Sequence, residues 1–363
     1  MYIESPDNTV LQEDLERAVK EGFPTDKLKN AKVLVTGATG LLGSQVVKYL
    51  LCLERLKKLG ITVIISVRNK EKAKKVFPYL GENPSLVLLE GDINDEICYD
   101  GGVDYIVHGA SPTSSKYFVS SPVETIRTAM DGTANILSFA EKKKIKGMVY
   151  LSSLEVYGTP AEGAELISEK DYGYIDPLSV RSSYSEGKRM VECLCVSYAA
   201  EYGVPVKIAR LSQSFGAGVE YNDGRVFAEF ARCAIEKKNI VLHTEGKTVR
   251  SYCYTMDAVT ALVAILLDGA VGEAYNVTNM RTAISIYDMA ELVCNIFPDS
   301  GISVEKDLPE DISSFGYNPE MVIRLDSSKL EKLGWRATVD LEEMYQRLID
   351  SMMLTKDTNR KLY

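Results

Sequence analysis

One segment near the start of the chain restricts the fold more than any other. An apolar run beginning at Ala31 leads directly into residues 36–43 (TGATGLLG), and a helical pattern follows to about Leu59. Glycines at three-residue spacing between a strand and a helix are typical of a dinucleotide-binding turn, because they permit a tight turn and close approach of a pyrophosphate. A glycine-rich turn without a ligand is the alternative. The residues predicted to contact a cofactor here are Gly37, Thr39, Gly40, Leu41, Leu42 and Gly43.

Beyond this turn, short apolar runs alternate with longer helical segments as far as Ser212. Alternation of this kind predicts an α/β fold of the Rossmann type, a doubly wound parallel sheet with helices on both faces. After Ser212 the pattern becomes less regular, which indicates a smaller C-terminal α/β lobe. We therefore expect a helical extension over residues 1–30, a dinucleotide-binding domain over 31–212, and a mostly substrate-binding lobe over 213–363 with segments that return to the main sheet.

Composition and charge argue against several classes of function. The net charge of −9 gives no general attraction for nucleic acid or acidic membranes, and no segment approaches the ~20 continuous apolar residues of a membrane helix. Two histidines and seven cysteines without a Cys-x-x-Cys pair leave few ligands for a metal. The first residues lack a basic patch followed by an apolar run. We expect no metal, no nucleic-acid partner, no membrane association and a location in the cytoplasm.

The end of the second predicted strand bears on the choice of cofactor. Its sequence places Arg68 and Asn69 where an NAD-preferring domain would place Asp or Glu. An arginine there can pair with a 2′-phosphate and stack on adenine, so we expect NADP(H) to be slightly favoured over NAD(H). A solvated loop arginine is the alternative.

Four further segments follow in order along the chain: Gly91-Asp92-Ile93, His108-Gly109-Ala110-Ser111, Ser152-Ser153, and Tyr184-Ser185-Glu186-Gly187-Lys188. A Tyr-x-x-x-Lys pair alone proves little, since a chain with 21 tyrosines contains about one by chance. In this order and after the glycine turn, the segments resemble the short-chain dehydrogenase/reductase family. The resemblance implies further cofactor contacts from Asp92, Ile93, Gly109, Ala110, Ser111, Tyr184 and Lys188.

Tyr184 and Lys188 lie four residues apart on a predicted helix, so their side chains share one face. A neighbouring ammonium stabilises a phenolate, which makes the tyrosine a usable general base near neutral pH. The resemblance implies that Lys188 also holds the nicotinamide ribose, and that Ser153 binds the substrate hydroxyl that Tyr184 deprotonates. An ordinary surface pair is the alternative.

Longer stretches resemble one branch of that family more specifically. These are SSLEVYG, ARLSQSFGAG, NDGRVFAEF and TVRSYCYTMDAV. They are similar to the extended branch that processes nucleotide sugars, most of all to UDP-glucuronate decarboxylases and less to dTDP-glucose dehydratases and sugar 4-epimerases. The resemblance implies a nucleotide-diphosphate sugar as substrate, with Gln213, Arg225 and Arg250 as binding residues. A guanidinium suits a diphosphate, and a structural salt bridge is the alternative for each arginine.

Leu154 and Glu155 limit the chemistry that the resemblance implies. Dehydratases of this branch carry an Asp-Glu pair at this place, and leucine cannot donate a proton to a leaving oxygen. We therefore disfavour a 4,6-dehydratase. Glu155 remains a candidate catalytic residue, as a base or as a group that orients the substrate, and pairing with a nearby cation is the alternative.

Three functions stay open from the sequence. The leading hypothesis is an NAD(P)-dependent enzyme that modifies a nucleotide-linked sugar through a transient ketone, by epimerisation, elimination or decarboxylation. An NADPH-dependent reductase of a nucleotide-linked keto- or open-chain sugar is the second, and a non-catalytic cofactor-binding regulator is the third. By analogy with the branch, we expect a homodimer formed by helices near residues 123–143 and 182–201.

Overall fold

The computed structural model describes residues 2–161, 163–309 and 320–360, with side chains as far as residue 356. The strands within these ranges are β1 (Lys32–Thr36), β2 (Thr62–Val67), β3 (Leu86–Glu90), β4 (Tyr105–His108), β5 (Gly147–Ser153), β6 (Val206–Leu211), β7 (Gln213–Phe215), β8 (Ile240–Leu242), β9 (Val249–Tyr254), β10 (Ala274–Val277), β11 (Asn279–Ser285), β12 (Val304–Lys306) and β13 (Val322–Ile323). The helices are α1 (Thr9–Glu21), α2 (Leu41–Lys57), α3 (Lys70–Val76), α4 (Ser115–Ser120), α5 (Pro122–Lys143), α6 (Ser182–Tyr202), α7 (Val226–Glu236), α8 (Thr255–Asp268), α9 (Ile286–Ile296), α10 (Ser328–Glu331) and α11 (Leu341–Arg360).

The main sheet has seven strands in the order β10-β6-β5-β4-β1-β2-β3, and all of its pairs are parallel. Alternate residues of one strand enter different cores. Val33 and Val35 of β1 lie in the cluster formed with α2 and α8, whereas Leu34 lies in the cluster formed with α5 and α6. Both faces of the sheet are therefore covered, as its continuous apolar strands predict. The doubly wound Rossmann-type fold is confirmed.

The order of the strands determines where a ligand can bind. β1 lies between β2 and β4, so the chain crosses to the other half of the sheet at this point. In an open parallel sheet the connections on the two sides of such a reversal diverge and leave a crevice at the carboxyl ends of the strands. The glycine turn and the segments after β2, β3, β4 and β5 all lie along this edge.

A second, smaller sheet follows β6 in the chain. It consists of β11, β9 and β13, with β7 pairing to β9 as well. The chain also returns to the main sheet, because β10 pairs in parallel with β6 at its edge. In the same part of the chain, β8 ends at Leu242, where the chain bends, and α11 continues to Arg360.

The N-terminal extension is part of the folded body. Its helix α1 packs against α2, α8 and α11. Arg55 of α2 binds the Glu4 carboxylate at 2.8 Å, and Arg347 of α11 binds the Asp14 carboxylate at 3.0 Å. The Asn8 side chain donates to Ser351 Oγ at 2.7 Å. The extension thus joins the dinucleotide-binding part to the last helix. Among the described residues, no helix is both long and apolar enough to cross a bilayer.

Candidate active site

The glycine turn between β1 and α2 has a backbone that other residues could not adopt. Gly37 has a φ of +66°, and a Cβ there would lie 2.6 Å from the backbone of Gly109. A Cβ on Gly43 would lie 2.2 Å from the Gly37 carbonyl oxygen. Gly40 precedes α2 without a side-chain cap, so the first N–H groups of the helix point towards the crevice. The turn fits the pyrophosphate of a dinucleotide, which such a helix start attracts.

Arg68 and Asn69 follow β2 on the exposed side of the crevice. The Arg68 guanidinium lies 3.5 Å from the Asp92 carboxylate and is 72 % exposed, while Asn69 accepts a hydrogen bond from the Lys72 backbone and caps α3. Asp92 comes directly after β3, so the two predicted residues meet across neighbouring strands. A 2′-phosphate would have to compete with Asp92 for Arg68. Ile93 points inwards and packs against Gly132 of α5.

The end of β4 closes the other side of the glycine turn. Gly109 backs onto Gly37, and the Ala110 backbone donates to Thr36 Oγ1 at 3.3 Å, with Ser111 next in the chain. His108 is fully buried, where its ring nitrogens bond the hydroxyls of Thr36 at 2.7 Å and Thr133 at 3.0 Å. Burial lowers the pKa of His108 to about 3, so this ring stays neutral and serves packing rather than proton transfer.

Ser153, Tyr184 and Lys188 come together at the ends of β5 and α6. Ser153 is the last residue of β5, and its hydroxyl hydrogen-bonds the partly buried Tyr184 phenol. Burial, followed by the nearby Glu155 carboxylate, raises the pKa of Tyr184, while Ser153 and the Arg181 guanidinium lower it. The structure therefore brings the three predicted catalytic groups into one place, at the same edge of the sheet as the glycine turn.

Lys188 is buried beneath the tyrosine. Its ammonium donates to the Leu151 carbonyl at 2.7 Å and lies 5.6 Å from the Tyr184 ring centroid and 4.7 Å from that of Tyr150. Burial lowers the pKa of Lys188 to about 8. The lysine is thus held against the ring face of Tyr184, with its hydrogen bond directed to the backbone of β5.

Glu155 lies in the short 3₁₀ turn that follows Ser153, and its carboxylate is fully engaged. Both oxygens accept from Arg181, at 3.0 and 3.1 Å, and Ser185 Oγ donates to one of them at 2.9 Å. The Glu155 backbone N–H donates to Ser153 Oγ at 3.2 Å. Pairing with a cation, the alternative to the predicted catalytic role, is present in the structure, and the cation is Arg181.

Phe118 of α4 covers the open face of Tyr184. The two rings are stacked, with centroids 4.2 Å apart and planes 10° from parallel, and the Arg181 guanidinium carbon lies 5.1 Å from the Phe118 centroid. Ser183 Oγ donates to the Phe118 carbonyl at 3.1 Å, which fixes α4 on the first turn of α6. Stacking of this kind limits rotation of the tyrosine ring.

A buried ion pair supports this corner of the site from below. Arg210 of β6 is 2 % exposed and binds the Glu192 carboxylate at 2.7 Å, while Ser152 Oγ donates to the other oxygen of Glu192 at 2.5 Å. Arg210 also donates to the hydroxyls of Tyr157 and Tyr172. The network ties the residue before Ser153 to α6 and to the loop over residues 158–181, so it holds the strand end in position.

The three predicted substrate-binding residues have different environments. Arg250 of β9 is buried, and its guanidinium donates to the carbonyls of Val249 at 3.1 Å and Met321 at 3.3 Å. No carboxylate among the described residues lies within ion-pair distance of it, and burial lowers its pKa. Gln213 of β7 lies in register with Tyr252, two residues beyond Arg250 on the neighbouring strand. Arg225, by contrast, is exposed and binds Asp223 at 2.6 Å.

Sequence reasoning missed Phe118, Arg181 and Ser185. Arg181 and Ser185 lie three before and one after Tyr184 on the same helix, so the helical spacing could have placed them near the site. No sequence pattern indicated a role for Phe118, because its contact with Tyr184 depends on how α4 docks on α6.

A comparison with known protein families identifies the group to which this chain is related. Residues 33–278, which contain every predicted site residue, match the model of the NAD dependent epimerase/dehydratase family. The chain belongs to this family. The prediction of an enzyme from the extended short-chain dehydrogenase/reductase branch is confirmed, and the family match weighs against the third hypothesis, a regulator without turnover.

Two relatives and one solved structure illustrate the membership. UDP-glucuronic acid decarboxylase 6 of Arabidopsis thaliana is 31% identical over 316 residues, which cover 86% of each chain. UDP-glucuronic acid decarboxylase 1 of the same plant is 30% identical over 338 residues, covering 92% of this chain and 73% of the relative. The UDP-glucuronic acid 4-epimerase of Bacillus cereus, solved with UDP-glucuronic acid and NAD, superposes with a TM-score of 0.72 over 92% of this chain and all of its own, at 22% identity.

The comparisons support one part of the cofactor prediction and not the other. The family is described as NAD dependent, and the Bacillus cereus epimerase was solved with NAD. A nicotinamide dinucleotide is thus the cofactor of this family. The predicted slight preference for NADP(H) gains no support from either finding.

Proposed function

We propose that this enzyme modifies a nucleotide-linked sugar through a transient ketone and returns the hydride before product leaves. The observation that carries the proposal is the meeting of Ser153, Tyr184 and Lys188 at the same edge of the sheet as the glycine turn. A regenerated cofactor needs a base that also acts as an acid, and a phenol poised between a hydroxyl and an ammonium can do both.

Each residue of the chain has a defined part in this proposal. Tyr184 Oη removes the proton from the sugar hydroxyl, Ser153 Oγ holds that hydroxyl, and Lys188 supports the phenolate and orients the nicotinamide ribose. A bound nicotinamide dinucleotide would supply reversible hydride transfer at the sugar carbon. Gly37, Gly40 and Gly43 admit the pyrophosphate to the start of α2, Gly109 to Ser111 border it, and Asp92 and Arg68 lie at the adenosine end.

Glu155 fits an orienting role better than a proton-removing one. Both of its oxygens already accept hydrogen bonds from Arg181 and Ser185, which fix the plane of the carboxylate. Leu154 supplies no acid beside it. The arrangement therefore supports epimerisation or decarboxylation over the loss of water from C6, because a β-keto acid needs positioning more than an added acid.

A UDP-linked uronic acid is the substrate class that we propose to test first. The two plant relatives are named UDP-glucuronic acid decarboxylases, and the Bacillus cereus epimerase was solved with UDP-glucuronic acid. Arg250 supports a diphosphate ligand, because among the described residues its buried guanidinium bonds two carbonyls and no carboxylate, which keeps its charge available for an anion.

Incubation with a panel of UDP- and dTDP-linked hexoses and uronic acids tests the function. The enzyme is used once with cofactor well below the substrate concentration and once with excess NADPH. Turnover of a UDP-uronic acid without added reductant is the expected result. A 4-keto-6-deoxy product from a dTDP-hexose would contradict the role given to Leu154 and Glu155.

The second candidate is a net reductase of a nucleotide-linked keto- or open-chain sugar, which the exposed Arg68 at the adenosine end favours. In the same panel this function would consume NADPH in a 1:1 ratio to product and would show no turnover without it. That outcome would replace the redox-neutral proposal.

We also propose that the enzyme is a homodimer. Exposed apolar residues lie on both α5 and α6, with Val123 56% and Met190 55% exposed. Ile126 follows Val123 at helical spacing on α5, and Val196 is a further exposed apolar residue of α6. Sedimentation of the full chain tests this, since Met190→Lys with Val196→Lys should dissociate the dimer. Location in the cytoplasm stays a prediction.

A further inference from the structure

Arg181 begins the helix that carries Tyr184, and its guanidinium joins two other parts of the site. Two of its N–H groups bind both oxygens of Glu155, at 3.0 and 3.1 Å, and its planar face lies 5.1 Å from the centre of the Phe118 ring. Phe118 in turn stacks on Tyr184 at 4.2 Å. A series of contacts thus runs from Glu155 through Arg181 and Phe118 to the phenol.

The charged and ionisable groups around Tyr184 come from α6 itself and from two of the elements packed on it. A third packed element, α4, presents Phe118, which is neutral. These groups are Glu155 from the 3₁₀ turn, Arg181 and Lys188 from α6 itself, and Tyr150 from β5. Glu155 raises the pKa of the phenol and Arg181 lowers it. The pKa of Lys188 is lowered to about 8, so above neutral pH its charge is partly lost, whereas a guanidinium stays charged.

An unpaired carboxylate at the position of Glu155 would oppose formation of the Tyr184 phenolate, because two negative charges would face each other in a partly buried site. A bidentate guanidinium cancels that charge and fixes the carboxylate plane at the same time. Only arginine can do this and also lie flat on an aromatic ring, since lysine offers a single ammonium without a planar face.

We propose that Arg181 is a positioning residue for Tyr184: it neutralises Glu155 at the edge of the site and, through Phe118, holds the plane of the phenol ring. The inference rests on the proposed function in one respect, since it takes Tyr184 as the base. It adds that the base depends on a second cation besides Lys188.

The test measures the ionisation of Tyr184 directly. The full chain carries 3,5-difluorotyrosine at position 184, whose more acidic phenol titrates at lower pH, and fluorine NMR follows the titration with saturating NAD. Arg181→Met should raise the midpoint by roughly one pH unit, and Glu155→Gln should lower it. In the double variant the midpoint should return close to that of the unchanged protein, because both charges are then absent.

Arg189→Met is the matched control. Arg189 lies on the same helix and donates to the carbonyls of Val156 and Gly173, so its loss disturbs the same turn without exposing Glu155. We expect this control to leave the midpoint unchanged. Arg181→Lys should give an intermediate value, since it restores the charge but neither the bidentate pair nor the stacking.

Equal midpoints in the unchanged protein, Arg181→Met and Glu155→Gln would overturn the inference. If Arg181→Met does not fold, the isosteric Glu155→Gln still tests the inference. A midpoint that does not fall in Glu155→Gln would overturn the inference as well. The titration needs no substrate. Shifted midpoints in an enzyme that turns over no nucleotide sugar would count against the proposed function alone, and unchanged midpoints in an active enzyme would count against the Arg181 inference alone.

Discussion

The proposed cofactor side and the proposed substrate side of the site rely on different kinds of group. At the glycine turn, the decisive groups are backbone: Gly37 and Gly43 have no room for a Cβ, and α2 presents its first N–H groups. On the substrate side the decisive groups are charged side chains, and their role depends on what they meet. Arg250 is buried against carbonyls, while Arg225 is bound to Asp223 at the surface. The geometry of a backbone site is determined by the residues of one short segment. The role of a charged side chain depends on partners that are remote in sequence.

Tyr184→Phe should have the largest effect, because the residue lies where the two sides meet. We expect at least ~100-fold slower turnover with nearly unchanged affinity for NAD, since the change deletes the base and no phosphate contact. Steady-state kinetics and calorimetric NAD titration measure the two quantities. Tyr198→Phe on the same helix is the control. Wild-type turnover in Tyr184→Phe would show that the base lies elsewhere.

Arg250→Met should separate the substrate side from the cofactor side. We expect UDP to bind ~10- to 100-fold more weakly, because a charge-assisted contact to the diphosphate is lost, with NAD binding unchanged. The same change at Arg225 should alter UDP affinity by less than ~3-fold, since Arg225 is already paired and exposed. Calorimetry with UDP compares the two. Equal losses of UDP affinity at both positions would show that burial does not distinguish the role of Arg250 from that of Arg225.

Gly37→Ala tests whether the cofactor side depends on backbone geometry alone. The Cβ would meet the Gly109 backbone and the positive φ would be strained, so we expect ~10-fold weaker NAD binding and a lower Tm, with a stability loss of ~1–3 kcal/mol. Gly81→Ala is the control, because Gly81 has a φ of +91° with nothing within 4 Å of its Cβ position. If Gly81→Ala lowered Tm as much as Gly37→Ala, the need for glycine at position 37 would come from backbone strain and not from close approach to Gly109.

Arg68→Ala should have the smallest effect. Because Arg68 is exposed and already faces Asp92, we expect a loss of ~3-fold in NADP(H) affinity and none for NAD(H). Parallel titrations with both cofactors measure it. Identical affinities for the two cofactors, unchanged in the variant, would make Arg68 an ordinary loop residue.

The sequence indicated the backbone of the glycine turn more fully than the contacts of the charged side chains, for a physical reason. The turn over residues 36–43 is continuous in the chain. A glycine there indicates directly a backbone conformation or a close approach that other residues do not allow. Tyr184 and Lys188 share a helix face, so their spacing also sufficed. The contact between Arg181 and Glu155 spans 26 residues, and that between Arg250 and Met321 spans 71, so neither was visible before the chain was folded.

The docking of α1 has a consequence for the order in which the protein assembles. Its buried residues Leu11, Leu15 and Val19 need surfaces offered by α2, α8 and α11, and Asn8 bonds Ser351 across 343 residues of sequence. Contacts of such separation form slowly, because a long loop must close before they are made. Because α1 leaves the ribosome before α11 is synthesised, it is among the last elements to gain its native contacts, and its apolar side stays uncovered until α11 is available.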